Sequence, residues 1–377
     1  MKILLAPDSF KGSISAKSLC GAMREGIERV VHDAVILERP LADGGEGTME
    51  NLVHATNGTI ITVTVLDPLK REITASYGVL GDQKTVVIEM AQASGLPLLS
   101  NEERDPLNAT SFGTGQLIKE ALEQGYRNFI IGLGGSATND GGIGMLKALG
   151  VQFLDSSGTP LRENMEAVQY LSSINTSGLD ARIKDSTFTI ASDVQSPLCG
   201  SNGASAVFGP QKGATEEMIV QLDKALAQFA KVIFDQGGMD VVNIPGAGAA
   251  GGMGAALLAF LSAKVESGIG ISMDVIRFDE DIKEADLIIT GEGKLDSQTL
   301  SGKVIAGVCK RAAAYGVPVV ALCGKNELSS NELNELGLLA GLSVVPGPCT
   351  LEEAFIHIEE WSKDRTEQIL RLVTARK

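Results

Sequence analysis

At 377 residues, 44% of them hydrophobic, the chain is long enough for two domains, taking roughly 100–200 residues per domain. A formal net charge of −15 argues against nucleic acid and anionic membranes as partners, and leaves small anionic ligands in need of local help from Lys, Arg, backbone N–H groups or a divalent cation. Forty-four glycines with 4% aromatics favour an α/β enzyme, and five cysteines and three histidines without paired spacing disfavour zinc and fit reduced thiols in a cytoplasmic setting.

Residues 2–6 read as a short buried strand, ended by Pro7 and followed by a polar loop, Asp8-Ser9-Phe10-Lys11-Gly12. The start is too short an apolar run for a signal peptide. Ser13 or Ser15 caps a helix running to about residue 31, with Leu19, Met23, Ile27 and Val30 on one face. A strand at 35–37 runs into the acidic glycine loop 42–47, and a helix at 48–55 follows. Strands at 59–66, 72–80 and 84–90 succeed one another without helices, which implies antiparallel pairing and a domain boundary near residue 60. A helix at 114–124 leads to a strand at 129–133 that is apolar enough to be buried on both faces. Next come a glycine loop at 134–142 and a helix on which Ile143, Leu146 and Leu149 recur. A strand at 187–191, a polar turn at 208–213, an amphipathic helix at 215–234 and a small-residue helix at 255–263 complete the middle. From residue 285 strands and helices alternate again: strand 286–290, loop 291–297, helix 303–315, strand 318–322, helix 331–336, strand 342–345 and a helix from 351. No apolar run reaches the ~20 residues of a membrane span.

Residues 1–60 and 285–377 together supply five strands alternating with helices. That is a complete flavodoxin-like doubly wound parallel sheet, with 61–284 as an inserted α/β domain of mixed sheet. Open α/β sheets bind ligands at the carboxyl ends of their strands, where the loops at Asp8, Asp43 and Gly291 fall. With the loop at Gly134, the expected active site is the interdomain cleft.

Each loop has a chemical and a merely structural reading. Strand, glycine loop and helix start at 128–150 let backbone N–H groups close on a phosphate or carboxylate, with donors from Ser136, Thr138 and Asn139 and a metal ligand in Asp140; the structural reading is a tight glycine turn. Asp8 and Lys11 place a carboxylate and an ammonium at one strand end, for an anionic substrate or as a surface ion pair. Asp43 and Glu46, on a flexible backbone with Gly44 and Gly45, suit magnesium or hydroxyl contacts, or simply an acidic helix start. Asp193 ends a strand and is a candidate general base or metal ligand. Lys294 and Asp296 suit carboxylate recognition, or a salt-bridged turn. A Walker A loop and a GxSxG elbow are absent; GxGxxA at Gly132 and GxGxxG at Gly246 match dinucleotide fingerprints only by letter.

The stretches APDSFKGSISA, ADGGEGT, IGLGGSATNDGGIGML, FGPQKGA, PGAGAAGGMGAAL and TGEGKLDSQTLSGK, spread over nearly the whole chain, resemble the bacterial glycerate kinases. That resemblance implies ATP-dependent phosphorylation of D-glycerate with Mg²⁺, a flavodoxin-like domain with an inserted α/β domain, and 2-phosphoglycerate as the favoured product, with 3-phosphoglycerate possible. Under it, Gly134, Gly135, Ser136, Thr138 and Asn139 are expected to hold phosphate. Lys11 and Lys294 meet substrate carboxylate or γ-phosphate, and Ser9, Asp43, Gly44, Gly45, Glu46 and Asp296 line the substrate. Asp193 is the candidate base, with Asp8 beside it in the chemistry and Asp140 the candidate metal ligand. Oligomeric state stays open, a homo-oligomer included. So do an NAD-dependent 2-hydroxyacid dehydrogenase and a non-catalytic sugar-acid binding protein.

Overall fold

The computed structural model describes residues 1–45, 47–162, 164–297, 299–301 and 304–375; the expectation at Glu46 lies outside them. Thirteen strands form among the described residues: β1 (Lys2–Pro7), β2 (Val35–Glu38), β3 (Thr59–Leu66), β4 (Glu72–Val79), β5 (Thr85–Glu89), β6 (Asn128–Gly132), β7 (Gln152–Leu154), β8 (Ser173–Asn175), β9 (Thr187–Ala191), β10 (Lys264–Glu266), β11 (Leu287–Leu295), β12 (Val319–Asn326) and β13 (Ala340–Ser343). The chain divides into two compact units, Met1–Asp43 with Ile269–Lys377, and Gly44–Gly268. The divisions fall before those read from the sequence, near 60 and 285. The helix Thr48–Ala55 belongs with the second unit, and two helices the sequence reading passed over, Gly268–Val275 from its second residue on and Phe278–Ile282, lie in the first.

The first unit is a five-stranded sheet of order β13-β12-β11-β1-β2, parallel throughout. Numbered within the unit this is 2-1-3-4-5, the flavodoxin order. Ile3, Leu4 and Leu5 of β1 and Leu287, Ile288 and Ile289 of β11 are fully or almost fully buried, as strands covered on both faces must be. Helix Ala16–Glu28, capped by Ser15, packs against helix Leu351–Thr374. The packing is close enough that a Cβ at Gly26 would meet the Lys363 carbonyl at 2.4 Å.

The second unit is built on a six-stranded sheet of order β10-β9-β6-β5-β4-β3. β3 with β4, and β4 with β5, are antiparallel, as consecutive strands without helices require; β5, β6, β9 and β10 are parallel. Phe129 on β6 stacks on Phe188 of β9 at 4.8 Å between ring centroids. Helix Phe112–Glu123 lies on the short helix Ile143–Ala148, and a Cβ at Gly115 would meet the Met145 carbonyl at 2.4 Å. The antiparallel β7–β8 pair has only three residues a strand, too few for an alternating pattern to register in the sequence.

Candidate active site

In the first unit the strand order reverses between β1 and β11: the chain leaves one toward β2 and the other toward β12. Such a reversal opens a crevice at the carboxyl ends of the two strands. Asp8 stands there, its backbone N–H donating to the Gly291 carbonyl at 2.8 Å. One carboxylate oxygen accepts from the Ser9 amide at 2.6 Å and from the Ser9 hydroxyl at 3.3 Å. Burial pushes the Asp8 carboxyl up to about 7; repulsion from Asp43 adds to this, the Ser9 amide opposes it, and Glu292 raises it further. Glu292 is itself 6% exposed and accepts from the Thr299 hydroxyl. Phe10 is buried and its amide and carbonyl close a small turn with Ser13 and Ile14, leaving Lys11 exposed at the tip.

One local expectation fails here. Residues 291–295 are strand, not loop: β11 runs on to Leu295, paired with β12 as far as Leu295 opposite Asn326. Glycine reads as a strand breaker, yet at Gly291 it is needed in the ladder. A Cβ there would meet the Leu322 carbonyl at 2.6 Å. Lys294 is held by Asp296 at 3.1 Å and Glu327 at 2.9 Å. Those two carboxylates, Glu327 first, keep its ammonium protonated above the ordinary lysine range. The geometry of Lys294 and Asp296 is that of the salt-bridged turn.

In the second unit the loop after β6 is organised by its own residues. Asp140, expected as a metal ligand, spends its carboxylate on protein donors: Ser111 N–H at 2.8 Å, Ser111 Oγ at 2.7 Å, Gly142 N–H at 3.0 Å and Gly144 N–H at 3.1 Å. Those amides open the helix Ile143–Ala148, so the N–H groups expected to close on an anion at its start are already satisfied from within. The donors left over lie earlier. The backbone N–H groups of Gly134, Gly135 and Ser136 find no acceptor among the described residues, and Gly135 is exposed with φ +71°. Three successive amides around a left-handed residue make an anion-binding concavity.

The acidic glycine loop meets this turn in the second unit. A Cβ at Gly134 would lie 2.7 Å from Gly45 Cα, one at Gly132 2.8 Å from the Gly44 carbonyl, and one at Gly44 2.4 Å from the Ala191 carbonyl. Glycine is required at these positions because backbone touches backbone. Asp193 is exposed two residues beyond β9. From the other side the loop is braced by 250–252, three consecutive left-handed residues. Gly251 accepts from Gly141 N–H at 2.9 Å, and a Cβ on Gly251 would meet the Thr138 carbonyl at 2.2 Å. Neither dinucleotide fingerprint is a strand-to-helix turn: Gly132 leads into the loop just described, and Gly246 follows a segment, 241–245, that is not a strand.

Sequence reasoning missed Lys212. It ends a short turn, Pro210–Lys212, and is 1% exposed, with Nζ donating to Ser136 Oγ at 2.9 Å and to the Thr138 carbonyl at 2.6 Å. FGPQKGA reads as a solvated polar turn, and its one signal was the resemblance that string helped to carry. Among the described residues no group of three or more His, Cys, Asp or Glu side chains comes together as a metal site, and no helix is long and apolar enough to cross a membrane.

The pattern of the Glycerate kinase family matches residues 3–374. The chain belongs to the glycerate kinase family. It is 48% identical over 355 residues to Glycerate 2-kinase of Escherichia coli K12, covering 94% of this chain and 93% of that protein. To Glycerate kinase of Bacillus subtilis 168 it is 46% identical over 369 residues, covering 98% and 97%. A crystal structure from Salmonella typhimurium LT2, named provisionally as a glycerate kinase 2, superposes with a TM-score of 0.88 at 46% identity over 100% of this chain and 98% of that one. As a member of the glycerate kinase family the chain is an enzyme, a kinase, and the Asp8 cluster of the first unit and the 134–136 turn of the second each lie inside the matched span.

Proposed function

We propose that the protein transfers the γ-phosphoryl group of ATP to D-glycerate, releasing ADP and phosphoglycerate, with 2-phosphoglycerate favoured over 3-phosphoglycerate. The observation that carries this reading is the turn at 134–136: three unspent amides, with the Ser136 hydroxyl held by a buried lysine, form a receptor for a phosphate. The name of the Escherichia coli relative, Glycerate 2-kinase, supports the favoured position.

Phosphoryl transfer asks the protein mainly for placement and charge neutralisation. In the step proposed, a glycerate hydroxyl oxygen bonds to the γ-phosphorus, the bond from that phosphorus to the β,γ-bridging oxygen breaks, and the hydroxyl proton passes to a carboxylate. Asp8 suits that last role better than Asp193, because burial and like charge tune its proton affinity close to neutral pH. Lys11, exposed at the tip of its turn, meets the substrate carboxylate or the γ-phosphate, while Lys294 is already engaged. Gly134, Gly135 and Ser136 hold phosphate, and Thr138 and Asn139 line the loop behind them.

The donor set fits magnesium, which usually takes one or two carboxylates together with water and substrate phosphates. Asp8, Asp43 and Glu292 crowd negative charge at one strand end, and a divalent cation offsets it; Asp43 is the proposed ligand. When bound, the ion neutralises charge on the transferring phosphate. Five free cysteines fit a reducing cytoplasmic setting.

A coupled assay for ADP tests the reading. ADP should form only when D-glycerate, ATP and Mg²⁺ are all present. Nicotinamide reduction by glycerate and NAD, or glycerate binding without ATP consumption, would replace it with one of the other two activities.

A further inference from the structure

Lys212 has no role in the step as written, yet its setting is costly. Burying an ammonium is unfavourable unless its donors are used. Two of the three N–H groups are used, by Ser136 Oγ and the Thr138 carbonyl. The same loop holds two further buried atoms without a partner among the described residues, Thr138 Oγ1 and Asn139 Oδ1, although Asn139 Nδ2 donates to Ser205 Oγ at 3.0 Å. A hydroxyl oxygen that accepts from an ammonium keeps its own hydrogen to give away. Lys212 therefore fixes Ser136 as a donor, next to the unspent amides of Gly134, Gly135 and Ser136 itself.

We propose that Lys212 is the positioning cation of the 134–136 turn: it orients the Ser136 hydroxyl toward a bound phosphate and supplies the counter-charge that an acidic protein otherwise lacks there. This deepens the reading of the turn as a phosphate receptor and rests on it. The charged groups near Lys212 are few. The Asp140 carboxylate, itself saturated by Ser111, Gly142 and Gly144, favours the ammonium, and the half-buried Arg104 donates to the Gln211 carbonyl at 3.5 Å. Burial outweighs Asp140 and pushes Lys212 down to about 7. A phosphate at the turn adds negative charge nearby and raises it again. Phosphate binding at mildly alkaline pH then draws a proton onto Lys212.

Calorimetric titration of the whole enzyme with magnesium–ATP, without glycerate, at pH 8 in two buffers of different ionisation enthalpy reads that proton directly. At this pH the magnesium nucleotide itself has no titrating proton. Uptake approaching ~1 proton per nucleotide is expected for the wild type. K212M should abolish the uptake and weaken nucleotide binding by roughly 10-fold or more. K212R should restore affinity without uptake. If K212M does not fold, K212R decides in its place, because uptake that persists in it belongs to another group such as Asp8 and overturns the role of Lys212. Heat independent of buffer in an enzyme that binds the nucleotide and turns over overturns the role of Lys212 alone, as does uptake that persists in K212M. No nucleotide binding in the wild type overturns the phosphate-receptor reading itself.

Discussion

Asp8 concentrates the conflict between stability and chemistry in a single side chain. Its carboxyl is raised from 3.8 to about 7. The folded state therefore binds this proton more tightly than the unfolded chain does, and stability falls as pH rises from about 4 through about 7. Ionised Asp8 is the form that accepts a proton, so kcat/KM for glycerate should climb through about pH 7 at limiting Mg²⁺ and the limb should move to lower pH as Mg²⁺ is raised. D8N is expected to lose about 10²–10⁴ in kcat. The same variant should gain about 1–3 kcal/mol of unfolding free energy at pH 8, where the wild type carries the buried charge. D193N is the control that separates the two carboxylates. A large loss there with D8N near normal would return the base to the end of β9. Neither the tuning of Asp8 nor the burial of Lys212 is legible from neighbours in the chain, because Asp43, Glu292, Ser136 and Asp140 reach these groups across 35 to 284 residues of sequence.

The elements around the glycine loop hold it through backbone contacts in which side chains have no room. G251A introduces both a Cβ 2.2 Å from the Thr138 carbonyl and a left-handed alanine at φ +65°, and should cost about 2–4 kcal/mol in a denaturant titration. Gly12 shares the positive φ, +75°, but has nothing within 4 Å, so G12A should cost only about 1 kcal/mol. Strands and helices were legible where hydrophobic period and length agreed. Thr48–Ala55, Thr59–Leu66 and Thr187–Ala191 form with the bounds the sequence suggests. The glycine-rich segments were not: Gly291 and Gly293 look like a loop and are strand, and 250–252 look like the approach to a helix and are a left-handed brace. Glycine gives no side-chain period to read. What it does depends on the backbone that passes within 3 Å of it.

Over the whole molecule, a charge of −15 has to coexist with the two anionic substrates of the proposed reaction. The answer proposed is local: amides at 134–136 with Lys212 in one unit, and Asp43 as the proposed magnesium ligand in the other. The doubly wound parallel sheet was legible from the alternation of strands and helices, its order 2-1-3-4-5 is seen in the structure, and long glycine strings carried the family, which the match over 3–374 establishes. The central claim is most directly tested by phosphorus NMR of the products formed from D-glycerate, ATP and Mg²⁺. The account predicts ADP together with a phosphomonoester resonance split into a doublet by the single hydrogen on carbon 2. A triplet from a methylene group would contradict the position of transfer, and the absence of any new phosphomonoester would contradict the reaction.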